Sequence, residues 1–452
     1  MKWLKRILIT LALLLAVAVA APFFVTLDDY IPRIEKEVSA RLKEPVSIKS
    51  IKFGVLPLPH ITVDGITVGK TEDIKLGKVT LTPELFSLLA PTKVIKSVNL
   101  KSLVLTQRAI DRIPAWSKPD ATRTAPQPPP VRVESIRLDD ALIKLDKASF
   151  GPFDAQVNLD GKGAPIDALV TTQDGKFKVS IKPDKSSYLI DATAKAWKLP
   201  TGPAIEFEQL VINGVATLND ANLSHISAKL YGGTVTGKTT IAWQKGLRLN
   251  GSFDVNQVEL KSLVPLLSPG TNMSGKLNAK PVFSAAAAGA NQLMSALRLE
   301  TPFAVQNGVL HGVDIQKAAT SLIKQGATGG ETHFEHLSGR LVRERSAYQF
   351  TQLKISSGAL AADGNVNISA KQELSGRVNA QVKAVGTSAS VPLNVAGTVH
   401  SPLLYPTGGT LAGAAVGTAV LGPGFGTSVG MKAGQYVEKL FGGKTEDKQQ
   451  KK

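Results

Sequence analysis

Alternation of apolar and polar residues is the feature that most constrains the fold. From Val46 to about residue 400, short segments such as Ile51–Val55 place Ile, Val, Leu or Phe at every second position, mostly with Ser, Thr or Lys between them. A period of two puts the apolar side chains of a strand on one face of a sheet. The 40 glycines and 26 prolines suit many short strands joined by tight turns. We therefore predict a long sheet with one apolar and one polar face.

Helical patterns are too few for a parallel α/β fold, which needs a helix between nearly every pair of strands. The sequence therefore indicates a mainly β protein, with a long, curled and mostly antiparallel sheet built from successive hairpins. One hairpin turn is predicted at Asp64-Gly65. The predicted helices are Tyr30–Lys43, Glu84–Leu89, Leu260–Leu267, Asn291–Leu297 and Val313–Lys324.

The first 27 residues predict a membrane anchor. Three basic residues precede an uncharged run of 19 residues, Ile7–Val25, and two aspartates follow it. Such a run is about long enough to cross the hydrocarbon core as a helix. The basic flank predicts a single-pass topology with a cytoplasmic N-terminus and export of the remaining chain. The apolar residues of this predicted anchor are Ile7, Leu8, Leu11, Leu13, Leu14, Leu15, Val17, Val19, Phe23, Phe24 and Val25.

A cleaved signal peptide is the alternative interpretation of the same segment. Ala18-Val19-Ala20 has the small-residue pattern of a processing site. The apolar run continues beyond that pattern through Pro22–Val25, and a proline at this point disfavours cleavage. We favour the uncleaved anchor, and both interpretations export the chain.

Composition divides the exported part into sections. Residues 117–130, SKPDATRTAPQPPP, predict an extended Pro-rich linker. It separates an N-terminal β section with a juxtamembrane helix (28–116) from a long β section (131–407). Across the linker, Ile95–Leu100 resembles Val133–Leu138 at an offset of 38 residues. Looser copies recur at irregular spacing, which argues against a solenoid of fixed period.

The end of the chain has a different composition. Residues 408–443 are rich in Gly, Ala and Val, and several glycines lie four positions apart. Small residues at this spacing let membrane helices approach closely, so the segment predicts a membrane-associated helical hairpin broken at Pro423. A flexible Gly-rich tail is an equally good interpretation. Residues 444–452 predict a charged, disordered end.

Composition excludes several kinds of chemistry. The chain has no cysteine, which removes thiol catalysis, Cys-ligated zinc and iron–sulfur clusters. The net charge of +17 is scattered rather than clustered, so we expect no nucleic-acid partner. Beside a membrane, a basic chain is attracted by anionic lipid headgroups, although the charge could also serve only solubility.

Three motifs resemble catalytic or binding sites. Gly232–Thr239 fits the phosphate-binding GxxxxGK[ST] pattern, but strand-like residues flank it, so we predict a hairpin turn. Gly426–Gly430 fits GxSxG, yet that elbow needs a later histidine, and the last one is His400. His333 and His336 would point to opposite faces of a strand. We therefore predict no catalytic, cofactor-binding or metal site, no cofactor, and no enzymatic activity.

Several segments, taken in order, resemble the AsmA family. Asp29–Glu35 after the anchor resembles its opening, Ser227–Gly233 its "lygG" hairpin, and Asn307–Ile315 its strand-to-helix junction. Pro392–Pro402 resembles its closing strand. The other similar segments are Ile48–Val68, Pro83–Leu89, Ile95–Leu105 and Thr332–Gly339. Together they cover most of residues 1–407.

The resemblance implies an inner-membrane protein facing the periplasm, similar in design to bridge-like lipid transfer proteins, whose sheet forms a groove with an apolar interior. It implies a role in outer-membrane biogenesis, in which the chain binds or transfers phospholipid. The implied partners are the inner membrane, phospholipids and an outer-membrane or envelope protein. The alternative is a structural or regulatory factor for outer-membrane protein assembly or for protein targeting to the membrane. The resemblance assigns no individual lipid-binding residue.

Retention of the anchor has a direct test. We expect protein extracted from membranes to have the intact mass of the full chain, 47.8 kDa, by mass spectrometry. A chain beginning at Ala21 would instead show processing after Ala20. An Ala18→Leu variant, which removes the processing pattern, serves as the uncleaved control.

Overall fold

The fold is taken from a computed structural model, which describes residues 27–116, 131–145, 148–200, 202–244, 246–320, 329–358, 360–384 and 387–408. The chain divides into two compact units, Met1–Ala204 (unit 1) and Ile205–Lys452 (unit 2). Strands dominate the described residues and the helices are short, which confirms the mainly β prediction. The predicted anchor residues, the 117–130 linker and the Gly-rich tail beyond Gly408 lie outside the described residues. In the part that is described, no helix has the length and apolar character needed to span a membrane.

Unit 1 is a mixed sheet in which nearly every strand pairs with the next one in the sequence. The pairings are antiparallel except that β4 runs parallel to β5 and β6. Its strands are β1 (Val46–Gly54), β2 (His60–Val68), β3 (Ile74–Pro83), β4 (Lys93–Thr106), β5 (Val131–Val133), β6 (Ser135–Leu145), β7 (Ala148–Leu159), β8 (Pro165–Thr172), β9 (Phe177–Asp184) and β10 (Ser187–Lys198). Its helices are α1 (Ile31–Leu42) and α2 (Gln107–Trp116), with 3-10 turns at Asp28–Tyr30 and Leu85–Leu89.

Helix α1 covers the outer edge of β1. A strand edge presents unpaired N–H groups that attract other chains. The N–H of Ile48 donates to the Glu35 carboxylate at 2.7 Å, and the N–H of Ile51 donates to the Asp28 carboxylate at 2.9 Å. The helix therefore runs antiparallel to β1 and begins beside the end of that strand. Its bounds agree with the predicted Tyr30–Lys43 helix.

The sequence repeat becomes a parallel strand pair. Val98 pairs with Ile136, and Leu100 pairs with Leu138, at the same offset of 38 residues that separates the similar sequences. Successive hairpins were expected throughout, and that expectation is wrong here, because β5 and β6 return to the side of β4 in the same direction as β4. Both strands belong to unit 1, although the predicted linker separates them in the sequence.

Three further local differences from the predictions occur in unit 1. The predicted turn at Asp64-Gly65 is wrong, because β2 runs through both residues and pairs with β1 on either side of them. Gly65 adopts φ +62° within the strand, a conformation that glycine tolerates, so the strand accommodates the kink. Helix α2 was not predicted. The predicted Glu84–Leu89 helix is the 3-10 turn Leu85–Leu89.

Unit 2 is an antiparallel sheet with three short helices in its described residues. Each strand pairs with the next, except that β15 and β16 both lie between β14 and β17. The strands are β11 (Glu206–Ala216), β12 (Asp220–Leu230), β13 (Gly233–Ala242), β14 (Leu247–Glu259), β15 (Lys276–Ala279), β16 (Val282–Ala287), β17 (Arg298–His311), β18 (Glu331–Glu344), β19 (Ala347–Ser356), β20 (Leu360–Ile368), β21 (Leu374–Ala384), β22 (Thr387–Thr398) and β23 (Ser401–Pro406). The helices are α3 (Leu260–Leu267), α4 (Ala290–Leu293) and α5 (Ile315–Thr320).

The helix predictions for unit 2 hold to different degrees. Helix α3 has the predicted bounds. Helix α4 is shorter than the predicted Asn291–Leu297 segment and starts one residue earlier. Helix α5 occupies the middle of the predicted Val313–Lys324 helix, and residues 321–328 lie outside the described part of the chain.

Three bulges within the strands share one stabilising hydrogen bond. A strand residue in the left-handed conformation, with φ between 52° and 59°, has its N–H bound by an Asp or Asn side chain from the next strand. The pairs are Asp140 with Asp154 at 2.9 Å, Gln257 with Asn278 at 3.1 Å, and Gln352 with Asn365 at 3.0 Å. The acceptor offsets the loss of a ladder hydrogen bond at the bulge.

We expect Asn365→Ala to loosen the bulge at Gln352. Loss of one hydrogen bond costs about 1 kcal/mol, which corresponds to roughly fivefold faster exchange of the Gln352 amide. Hydrogen-exchange mass spectrometry of β19 measures this rate. The control is Asn367→Ala, two residues further along the same strand. Equal exchange in the two variants would contradict a role for the Asn365 side chain.

Candidate functional site

Two continuous rows of apolar side chains cross unit 1. Residues paired across neighbouring strands share a face of the sheet, so the register defines each row. Row one is Ile51, Val63, Val79, Leu100, Leu138, Ala155, Val170, Val179 and Ala192. Row two is Phe53, Ile61, Leu81, Val98, Ile136, Val157, Ala168, Ile181 and Ile190. Every position in both rows is apolar.

The opposite face of the same strands is polar. Between the two apolar rows, on the other side of the sheet, each strand places a residue that is polar in every case except Leu169. This polar row is Lys52, Thr62, Thr80, Asn99, Arg137, Gln156, Leu169, Ser180 and Asp191. The predicted separation into an apolar and a polar face is therefore confirmed for unit 1.

The two rows form an apolar strip along the unit. Nine strands spaced about 4.8 Å apart extend roughly 40 Å, the length of an acyl chain or more. Most side chains in the rows are half-buried by neighbours on their own face. The described helices of unit 1 make their main contacts with β1 and with β4 and β6. Among the described residues of unit 1, no helix forms a second layer over this face, and an uncovered apolar face is suited to an apolar ligand.

In unit 2, the corresponding apolar face is covered over its C-terminal strands. One row is Leu277, Val305, Leu337, Ile355, Ala362, Ala380 and Val391, and most of these side chains are fully buried. They pack in one cluster with Leu260 of α3 and with Ile315, Ala318 and Ala319 of α5. The two helices are therefore the second layer here, and this part of the sheet has an ordinary hydrophobic core.

Polar groups fix α5 over the sheet. The Thr332 hydroxyl on β18 donates to the Val313 carbonyl at 2.7 Å and accepts from the Ile315 N–H at 3.0 Å. The Asp314 carboxylate accepts from the Lys317 N–H at 2.8 Å, as in a helix N-cap. This junction after β17 matches the strand-to-helix character expected of Asn307–Ile315.

The N-terminal strands of unit 2 continue the apolar pattern. A row of Leu210, Ala228, Val235, Val255, Ala279 and Phe303 crosses β11–β17. Phe253 and Phe283 stack on this face with ring centroids 5.3 Å apart, and a Cβ at Gly251 would collide with the Phe283 ring. Glycine at 251 therefore makes room for an aromatic side chain on the apolar face.

A depression of about 540 Å³ lies in unit 2 and is lined mostly from the polar face. Residues around it include Lys238, Asn250, Ser252, Arg298 and Glu300. By register, Lys238, Ser252 and Glu300 share a face opposite to Phe253 and Phe283. The depression therefore lies mainly on the polar face, although Phe283 and Leu299 of the apolar face also border it.

The motifs that resemble other sites have structural explanations. Tyr231 and Gly232, with φ of +48° and +72°, turn the chain between β12 and β13, which confirms the predicted hairpin in place of a phosphate loop. His333 and His336 pair with Val309 and Gln306, so they lie on opposite faces of β18 as predicted. Among the described residues, no cluster of three His, Asp or Glu side chains could hold a metal ion. The GxSxG segment at Gly426–Gly430 lies outside those residues.

The two aspartates with a lowered pKa, Asp160 and Asp174, stabilise hairpin turns. The backbone N–H groups of Ala164 and Lys162 lower the pKa of Asp160 below its ordinary value. The Thr172 hydroxyl and the Lys176 N–H lower the pKa of Asp174. Both aspartates sit in hairpin turns, away from the apolar rows, and accept hydrogen bonds that shape those turns.

No family model, curated protein or solved structure matches this chain. The function proposed below therefore rests on the arrangement of the chain's own residues. Sequence reasoning predicted an apolar face from alternating segments such as Ile51–Val55, but assigned no lipid-binding residue on it. The alternation was the available signal, and only the strand register shows which side chains form continuous rows.

The difference between covered and open rows predicts different tolerance of larger side chains. Ala380, with 0% exposure beneath α5, has no room for growth, so Ala380→Leu should destabilise unit 2 by about 1–3 kcal/mol. Ala168 lies on the open row between Val157 and Ile181, and Ala168→Leu should change stability by about 0.5 kcal/mol or less. Urea denaturation measures both. A comparable loss in the two variants would show that the unit 1 row is covered.

Proposed function

We propose that this chain is a non-enzymatic, inner-membrane-anchored periplasmic protein that binds or transfers phospholipid along an apolar β-groove. The observation that carries the proposal is the pair of uninterrupted apolar rows across nine strands of unit 1. An acyl chain laid along such rows would contact apolar side chains throughout, while the opposite face remains hydrated. The AsmA-like segments support the same function and suggest a role in outer-membrane biogenesis.

The energetic argument follows from apolar area. Burial of apolar surface contributes about 25 cal/mol per Å², so contact along the rows gains several kcal/mol without a polar anchor. Aliphatic side chains provide no directional contacts, and selectivity among acyl chains would therefore be low. The rows supply no acid–base pair or nucleophile, in keeping with carriage rather than chemistry.

Location forms part of the proposal. The uncharged Ile7–Val25 run with its basic flank would hold the chain in the inner membrane, with the N-terminus cytoplasmic and units 1 and 2 periplasmic. Inner-membrane phospholipid would then be within reach of unit 1, which follows the anchor directly in the sequence.

A second candidate function has its own supporting observation. Helices α3 and α5 cover the apolar face of the C-terminal strands, which closes that part of unit 2 to lipid. A closed, well-packed section suits a docking scaffold better than a lipid path. This observation favours a structural or regulatory role in outer-membrane protein assembly or protein targeting, with an envelope protein as partner.

Mass spectrometry of the purified full chain tests lipid binding. We expect phospholipid to copurify with the natural chain. Ile61→Asp and Ile181→Asp place a carboxylate on row two and should each reduce the bound lipid, because an unpaired charge beside an acyl chain is unfavourable. The matched controls, Thr62→Asp and Ser180→Asp, change the adjacent residues on the polar face. They should retain the bound lipid.

Thermal unfolding of all four variants establishes that they are folded. A natural chain without lipid, or equal lipid in the apolar-face and polar-face variants, would contradict lipid binding by the rows and leave docking as the better proposal.

A further inference from the structure

The strongest unexplained feature of unit 1 is a group of exposed apolar side chains in two loops. The loop between β1 and β2 exposes Leu56 and Leu58 by 66% and 60%. The 3-10 turn between β3 and β4 exposes Phe86 and Leu89 by 88% and 94%, together with Leu85. Scattered exposed apolar residues are ordinary, but large ones grouped at loop tips mark an interaction surface. These side chains belong to neither apolar row.

The strand register places the two loops at the same end of the sheet. Gly54 at the end of β1 pairs with His60 at the start of β2, and Leu81 near the end of β3 pairs with Ile61. Strands β1 and β3 flank β2 and run in the same direction, so the loops that follow them leave the same end of the sheet.

Hydrogen bonds hold the 3-10 turn in a fixed geometry that directs its apolar side chains outward. Ser87 at its centre is buried, and its hydroxyl donates to the Glu84 carbonyl at 2.7 Å. The same hydroxyl accepts from the Val94 N–H at 2.8 Å. Exposure of Phe86 and Leu89 thus follows from a fixed turn geometry and not from a loosely held loop.

The described part of the chain begins at this end of unit 1. Leu27 is the first described residue, and it follows the Ile7–Val25 run by two positions. The next residue, Asp28, binds the N–H of Ile51 at 2.9 Å, three residues before the end of β1. Tyr30 is 58% exposed at the same end of α1, and tyrosine favours the membrane–water interface.

We propose that the β1–β2 loop and the 3-10 turn insert their Leu and Phe side chains into the lipid bilayer that holds the N-terminal segment. The bilayer is the occupant that fits, because the chain joins a 19-residue apolar run at the end of the sheet where these side chains project. This inference rests on the membrane anchorage in the proposed function, but not on lipid binding by the apolar rows. Insertion would fix the end of the strands against the membrane surface.

Site-specific fluorescence tests the proposal in the full chain. The natural chain has no cysteine, so a single introduced cysteine gives one labelling site. Leu56→Cys and Leu89→Cys carry a polarity-sensitive dye in vesicles of phosphatidylethanolamine and phosphatidylglycerol. The control is Lys70→Cys, an exposed position in the turn between β2 and β3 at the opposite end of the same strands. Flotation with the vesicles establishes anchorage separately.

The expected result is blue-shifted emission at both loop positions, with quenching by lipids that carry a quencher near the headgroup, and neither effect at Lys70. Leu85→Ser together with Phe86→Ser should weaken the quenching of the Leu89 label. Vesicle-bound protein without quenching at one or both loops would overturn the proposal. Quenching at all three positions would also overturn it, as would unchanged quenching after the serine substitutions. A blue shift without quenching would overturn it too, because it would indicate contact with a second copy of the chain. Failure to float would instead contradict the proposed anchorage, and loss of copurified lipid alone would leave this inference intact.

Discussion

Cross-strand register is the constraint on which the rest of unit 1 depends. Because side chains alternate between faces, a slip of one residue in any strand would move its apolar set to the polar face. The rows remain continuous through antiparallel pairings and through the parallel pairing of β4 with β6. At that parallel pairing, Ser102 and Asp140 both adopt the left-handed conformation, with φ of 56° and 59°, and lie side by side with a 3.1 Å hydrogen bond between their side chains. The β4–β6 pairing has the same offset of 38 residues on either side of this point, so the register is preserved there.

The same alternation of apolar and polar residues has a different result in each unit. In unit 2, α3 and α5 supply a second layer, so Val305, Ala380 and Leu393 lose nearly all contact with solvent. In unit 1, the described helices lie elsewhere. Helix α1 covers the edge of β1 and binds its N–H groups, and α2 packs at the end of β4. One pattern of residues thus produces a conventional core where helices cover the sheet and a continuous apolar strip where they do not.

Sequence reasoning predicted what local patterns encode. Alternation predicted the two faces, the spacing in Leu260–Leu267 predicted α3, and flanking strands identified the Gly232 turn. It failed where a distant partner decides the outcome. Asp64-Gly65 has the composition of a turn, yet pairing with β1 and β3 holds it in a strand. The parallel return of β6 to β4 left only the 38-residue repeat as a signal. The rows themselves follow from register, which period-two patterns do not specify between strands.

The parallel pairing of β4 with β6 also has a kinetic consequence. Most strands of unit 1 can pair as soon as the next hairpin forms, since hairpins close quickly. Strand β4 cannot complete its second edge until Val131–Lys144 has emerged from synthesis, well after β3 and β4 have met. During that interval, the middle of the future sheet is an open edge of 14 residues, which is the kind of surface that attracts foreign strands. The step that joins the two repeats is therefore the point at which growth of this sheet is most exposed to misassembly.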